Sequence, residues 1–314
     1  MQQRLDSLVD RIDDPFAQIT SRPTAADPTD DASPEVVPDP VTFLILGSDS
    51  RTSSGDPAQW ERGAQRTDAI MVAQVSGDRQ HVSVMSIPRD SWVNVPGDGM
   101  NKINAAYSYG GPSLMIQTVE ELTGIYIDHF AVTDFESFSA MTENLGGVSI
   151  SLSEPLNVNG TWVATGVQRL NGEQALAYVQ QRYNLSGGDF SRVQRQQNWV
   201  RSIMTEVFQQ DILSDLGRLT GFLQTVAKSV ALDEGVMMGT LTELAVSVRG
   251  ISPENVQFMT APYAGISSSA DGQSIVLLDE AKSQALFGAF ASDAVAQFLA
   301  ANGAGIALLP TVPE

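Results

Sequence analysis

Cysteine is absent from this sequence. Disulfides, thiolate catalysis and cysteine-based zinc sites are therefore excluded. Histidine is nearly absent: there are 2, His81 and His129, both within strand-like runs. A serine–histidine–aspartate hydrolase would need one of them, and no GxSxG turn occurs. HExxH and GxxxxGK[ST] are missing too, which removes the zincin and P-loop classes. No apolar run approaches about 18 residues, so no segment reads as a transmembrane helix. The opening MQQRLDSLVDRIDDPF is charged throughout its first half and is not a signal peptide. Either the protein is cytoplasmic or the sequence begins after a removed segment. Basic residues are scarce, 18 Lys and Arg against 37 Asp and Glu, for a formal charge of −19. That balance argues against a nucleic-acid surface and against broad adhesion to anionic membranes.

What is present suffices for a sizeable core: 314 residues, 42% hydrophobic, long enough for one large or two medium domains. Residues 1–19 carry Leu5, Leu8, Val9, Ile12 and Phe16 at helical spacing and read as a short amphipathic helix or a stalk. Residues 20–40 are rich in Pro, Asp, Ser and Thr and read as a linker. The folded domain is expected over 41–299, with 300–314 as a tail.

Val41 to Gly47 is a continuous apolar run, the pattern of a central strand, and it ends beside Asp49. Arg66 and Asp68 precede a second strand from Ala69 to Val75, and Arg89 and Asp90 follow a third from His81 to Ile87. Charged pairs at successive strand ends are where α/β folds gather ligands. Pro112 opens a helix, Phe135 to Leu145 makes another, and Val148 to Leu152 alternates as a strand. Strands alternating with helices predict an α/β sandwich, a mixed sheet flanked by helices. The helical patterns over 211–250 carry surplus apolar positions such as Leu213 and Phe222. Core packing explains them; the sharper reading is an apolar pocket for an acyl or prenyl chain between sheet and helices.

The most informative stretch is 178–208, YVQQRYNLSGGDFSRVQRQQNWVRSIMTEVF. Ala177-Tyr178-Val179 reads as a short strand leading to Arg182, and Gly187-Gly188 as a loop. Asp189 or Ser191 can cap the helix that follows. Val193, Val200, Ile203, Met204, Val207 and Phe208 form its buried stripe. Arg192, Arg195, Gln196 and Trp199 lie on a second face, near an electropositive helix N-terminus. Guanidiniums so placed suit phosphate or pyrophosphate, and nearby carboxylates suit a hard cation. The alternative is a solvated face whose arginines pair with acidic neighbours.

These stretches in order, GSDSR at 47–51, RTDAIM at 66–71, SIPRDS at 86–91, NKINAAYSYGG at 101–111, LGGV at 145–148, YVQQR at 178–182 and DFSRVQRQQ at 189–197, resemble the LytR-CpsA-Psr family of cell-wall glycopolymer ligases. The match spans roughly Val41 to Asp293. The resemblance implies an extracytoplasmic enzyme, anchored by an N-terminal transmembrane helix absent from this chain. Such an enzyme moves a polymer from a polyprenyl-pyrophosphate carrier to a peptidoglycan hydroxyl with Mg²⁺ or Mn²⁺. It implies Asp49 and Asp68 as metal ligands. Arg66, Arg89, Arg182, Arg192, Gln196 and Lys102 would be pyrophosphate contacts, with Arg195 as a further candidate. Arg89, Asp90 and Arg182 are the catalytic candidates. Where the family commonly reads Tyr-Val-Arg-x-Arg, this chain has Gln180, which brings no charge. Two further readings remain: a pyrophosphatase of lipid carriers with water as acceptor, and a non-catalytic module that binds polyprenyl lipids or glycans.

Overall fold

The computed structural model describes residues 6–25, 38–48, 67–181 and 189–313. Asp49, Arg66 and Arg182 lie outside the described residues. In chain order the first strands are β1 (Asp10–Ile12), β2 (Val41–Ser48), β3 (Thr67–Val75) and β4 (Val82–Ser86). A hairpin of β5 (Trp92–Val95) and β6 (Gly99–Lys102) precedes helix α1 (Asn104–Thr123). Then come β7 (His129–Asp134), α2 (Phe135–Asn144), β8 (Val148–Leu152), β9 (Leu156–Val158), β10 (Thr161–Val163) and β11 (Gly166–Leu170). Helices α3 (Gly172–Gln180), α4 (Asp189–Gln209) and α5 (Leu216–Ser229) follow, then β12 (Val230–Asp233) and α6 (Met238–Ser247). The last elements are β13 (Val256–Thr260), β14 (Tyr263–Ser268), β15 (Ser274–Leu278), α7 (Glu280–Ala291) and α8 (Val295–Asn302).

The main sheet has the order β1-β12-β7-β2-β3-β4-β13. It is mixed: β2 runs parallel to β7 and antiparallel to β3, and β4 runs parallel to β13. The ends of β2, β4, β7 and β13 and the start of β3 therefore share one edge. Alternation along the strands sends Leu44, Leu46, Ile70 and Val72 to one face, where Met115, Ile116, Val119, Phe287 and Phe290 of α1 and α7 cover them. Ile45, Ala69 and Met71 face the other way, against Val200 and Met204 of α4. Helices on both faces make the expected α/β sandwich. A strand buried on both sides needs no polar alternation, which is why β2 reads as one apolar run.

Local chemistry accounts for several boundaries. Asp134 caps α2 by accepting from the Ser137 N–H at 2.6 Å. Asn171 and Gln174 form a reciprocal capping box that starts α3. Tyr178 and Val179, expected in a strand, are instead buried residues of that helix. Helix α1 breaks at Gly111, whose φ of 62° favours glycine, and resumes at Pro112 as the sequence indicates.

Both ends differ from expectation. Residues 10–12 are not helical: β1 pairs in parallel with β12, Asp10 opposite Ala231 and Ile12 opposite Asp233. Arg22 lies over the rings of Phe16 and Tyr126 and bonds the buried Glu120. Residues 6–25 are thus packed onto the domain. At the other end, the Leu309 N–H donates to the Phe258 carbonyl at 2.9 Å, so the segment expected as a tail lies along β13. No helix among the described residues is long and apolar enough to cross a membrane.

Candidate functional site

The site forms on the shared sheet edge. Asp68 is the second residue of β3, and Arg89 follows the end of β4, so the antiparallel pairing of these strands brings the two side chains together. Arg89 Nη1 donates to Asp68 Oδ1, and the carboxylate is only 8% exposed. Arg89 Nε also lies 3.8 Å from Asp90 Oδ2. The β5–β6 hairpin then folds back and sets Lys102 opposite Trp92. That register carries Lys102 Nζ to 3.0 Å from Asp90 Oδ1.

The fifth member comes from α4. Arg192 is 5% exposed, and its Nη2 lies 3.8 Å from Asp68 Oδ1. Helix α4 is held against the sheet by Gln197, whose Nε2 donates to Ser86 Oγ at 2.8 Å and to the Met259 carbonyl at 2.6 Å. It is held on its other side by Trp199, whose indole N–H donates to Thr142 Oγ1 at 2.8 Å and whose ring meets Phe138 edge-on. Asp68, Arg89, Asp90, Lys102 and Arg192 thus form one network in which cations outnumber carboxylates, within a strongly acidic chain. The composition of this site suits an anion.

Gln196 is brought to the same place. Its Nε2 is buried with no hydrogen-bond partner among the described residues, as is Thr67 Oγ1. A buried donor left unmade is costly unless something else accepts from it. Gln196 lines a cleft of about 430 Å³, part of it open to solvent, together with Ile45, Gly47, Ala69, Met71, Trp199 and Val200. Gly47 is needed there, because a Cβ would come within 2.9 Å of the Ala69 Cβ. The cleft lies between sheet and helices, but the residues expected to line it do not. Leu213 and Phe222 pack instead against the cluster of Ile203, Val207 and Ile212, and Leu219 and Leu223 of the same stretch are core with Val9, Ala131 and Leu232. A lipid pocket is not shown.

Arg195 goes elsewhere. It is 2% exposed, and its Nη1 donates to the Tyr178 carbonyl at 3.1 Å and to Gln181 Oε1 at 2.9 Å. Its guanidinium sits 4.7 Å from the centroid of the Tyr178 ring. Gln180, the last residue of α3, is exposed. Sequence reasoning missed Gln197 and placed Trp199 on the anion-facing side, whereas it is core. It also missed Glu206, 4% exposed on α4, which accepts from Arg169 at 2.8 Å, Gln210 at 3.1 Å and Ser149 at 3.2 Å. The Glu206 spacing, seven residues and about two turns beyond Trp199, was the local signal.

Fold and site together define an α/β protein whose mixed sheet carries a partly buried Arg–Asp–Lys network at one edge. Comparison with known proteins makes this specific: the LytR_cpsA_psr family model matches residues 12–290, and the chain belongs to that family. LcpB of Corynebacterium glutamicum, a probable cell wall biosynthesis protein, is 33% identical over 79% of this chain. The match spans 60% of that relative's length. The regulatory protein MsrR of Staphylococcus aureus is 30% identical over 78% of this chain and 73% of its own. Among solved structures, TagT bound to LIIa-WTA superposes with a TM-score of 0.67 at 23% identity, covering 88% of this chain and 98% of that one.

Proposed function

We propose that this protein transfers a glycopolymer from a polyprenyl-pyrophosphate carrier to a peptidoglycan hydroxyl, forming a phosphodiester. The observation that carries the reading is the network of Arg89, Arg192 and Lys102 around Asp68 and Asp90, with Asp68 and Arg192 buried, beside an apolar cleft and an unsatisfied Gln196 donor. Pyrophosphate is the anion that needs several cations at once, and a prenyl chain is the substituent that needs an apolar neighbour. LcpB's description as a probable cell wall biosynthesis protein and the solved complex of TagT with LIIa-WTA support it. The domain then works on the outer side of the cell membrane, where peptidoglycan lies, and an N-terminal membrane anchor belongs to the same proposal.

In this reading Arg89, Arg192 and Gln196 donate to the pyrophosphate oxygens, with Lys102 beside them. Arg66 and Arg182 complete the set on the family resemblance. Mg²⁺ or Mn²⁺ fits the donors present, because carboxylate oxygens are hard ligands and Mg²⁺ is commonly held by one or two carboxylates with substrate phosphates. Asp68 would hold the ion, with Asp49 as its partner ligand on the family resemblance. When bound, the ion neutralises charge on the phosphate oxygens. The acceptor hydroxyl forms a bond to the phosphorus that bears the glycan, and the bond from that phosphorus to the bridging oxygen breaks, releasing polyprenyl phosphate. The arginines stabilise charge on the transferring and leaving oxygens. Asp90 takes the hydroxyl proton late, since phosphoryl transfer through a loose transition state needs little activation of the nucleophile.

The test is phosphate release from geranylgeranyl pyrophosphate, and glycan transfer to peptidoglycan from a polyprenyl-pyrophosphate-linked glycan, with and without Mg²⁺, by wild type, Arg89→Ala and Arg192→Ala. The expected result is turnover that needs the metal and both arginines. Wild-type rates in both variants would refute the site. Release to water with no transfer to peptidoglycan would favour the pyrophosphatase instead.

A further inference from the structure

An aromatic pair adjoins the anion site and has no part in gripping phosphate. Phe190, the second residue of α4, stacks on Tyr263, the first of β14, with centroids 4.0 Å apart and rings 13° from parallel. Tyr263 remains 40% exposed. Its hairpin, β14 with β15, is a two-stranded sheet separate from the main one. The second arm is tied to the site: the Val276 N–H donates to the Asp90 carbonyl at 2.9 Å, and Ser91 bridges to Val276. The backbone of Asp90 thus holds the hairpin while its carboxylate holds Lys102.

The hairpin's composition says what it suits. Residues 263–278, YAGISSSADGQSIVLL, contain no Lys or Arg and a single acidic residue, Asp271. Ser267, Ser268 and Gln273 are exposed. A surface without a cation does not serve phosphate; besides the hydroxyl and amide groups it exposes Ile266 and Leu277, apolar edges that flank the aromatic pair. An aromatic face beside hydroxyls and an amide suits a pyranose, whose C–H face packs on the ring while its hydroxyls exchange hydrogen bonds.

Position along α4 decides which sugar. Phe190 stands at the helix start, Arg192 and Gln196 come next, and Trp199 and Val200 line the apolar cleft. At 1.5 Å per residue, Phe190 and Val200 are roughly 15 Å apart along the axis; Phe190 points about 160° around the helix from Arg192, and it is the Tyr263 hairpin, bonded to the Asp90 backbone, that ties the pair to the anion-binding residues. In phosphoryl transfer the attacking and leaving oxygens lie roughly in line on opposite sides of phosphorus. With polyprenyl phosphate leaving toward the cleft, the attacking hydroxyl arrives from the Phe190 end.

We propose that the Phe190–Tyr263 stack and the serine-rich hairpin bind pyranose units of the peptidoglycan acceptor. This rests on the transfer reading above. The test measures acceptor KM and donor KM separately in the full chain, for wild type, Tyr263→Ala and Tyr263→Phe. Tyr263→Ala is expected to raise the acceptor KM about 3- to 10-fold, the size of one lost aromatic contact, with the donor KM largely unmoved. Tyr263→Phe, which keeps the ring, restores it. Should Tyr263→Ala fold poorly, Ser267→Ala on the exposed face is expected to move the acceptor KM in the same direction.

A second readout is free of turnover: ligand-observed NMR with a soluble peptidoglycan tetrasaccharide. Binding to wild type and Tyr263→Phe, weakened in Tyr263→Ala, supports the site even where no transfer occurs, and would leave only the transfer reading refuted. A wild-type acceptor KM in Tyr263→Ala, with transfer intact, would overturn the hairpin assignment and leave the transfer reading standing. A rise confined to the donor KM would move the hairpin to the donor glycan and overturn it equally.

Discussion

Arg89 and Arg192 converge on one oxygen of Asp68, and that shared carboxylate keeps two guanidiniums side by side near the sheet edge. Asp68→Ala is therefore expected to cost more than a metal ligand, because like charges left without their counter-ion separate. Loss of about 10²- to 10³-fold in turnover is the scale of removing one electrostatic stabiliser, and phosphate release checks it. Arg195 should behave differently. Its donors are committed to Tyr178 and Gln181, so Arg195→Lys keeps the charge but loses the fork. It is expected to lower the urea midpoint while moving the donor KM less than Arg192→Lys does. Arg192, Arg195 and Gln196 were legible from helical spacing as neighbours near an N-terminus. What spacing could not show is which element each one meets. Residues three apart on a helix differ in direction by about 60°, enough for one to face the sheet edge and the other the end of α3.

Between elements, two ionic contacts to buried carboxylates fasten the periphery to the sheet. Glu206 on α4 holds the strand pair β8–β11 through Arg169 and Ser149. Burial by itself would raise its carboxyl pKa, but hydrogen bonds from Arg169, Gln210 and Ser149 hold it below the usual carboxylate range. A group whose pKa is depressed by folding contributes stability above its unfolded value, about 4.3, and loses it as pH falls through the lower folded value. Glu206→Gln should lower stability at neutral pH by about 1–3 kcal/mol and flatten the acid limb, as urea unfolding across that range would read. Arg22 does the same for the N-terminal segment. Arg22→Ala leaves Glu120, 1% exposed, without its guanidinium, and a loss of about 3–5 kcal/mol is expected in the same assay. The sequence pattern missed this docking because a three-residue edge strand is specified by its partner β12, far along the chain, and not by local periodicity. The capping box at Asn171 and Gln174, by contrast, is a local signal that marks α3 as a helix and outweighs the strand-like Tyr178-Val179 pair.

For the whole molecule, a ligand that binds only the folded state raises its stability by mass action. Geranylgeranyl pyrophosphate with Mg²⁺ at a hundred times its Kd should add about 2.7 kcal/mol, seen as a higher Tm in wild type and lost in Arg192→Ala. The net charge of −19 sharpens the expectation that metal is needed, since the fold as a whole repels an anionic donor and only the local network attracts it.

The amino-acid sequence alone determined the sandwich class, the central apolar strand and the candidates Asp68, Arg89, Asp90, Arg192 and Gln196, with Lys102 added by the family resemblance. Strand runs, strand-end charges and helical spacing are local patterns, written within a few residues of one another. Only the tertiary structure decided that Arg195 turns to α3, that residues 10–12 close a sheet edge, that Leu219 and Leu223 pack as core, and that a hairpin some seventy residues beyond Phe190 stacks on it. Those outcomes depend on which surfaces meet, and burial and pairing across long chain separations leave no period in the sequence to read.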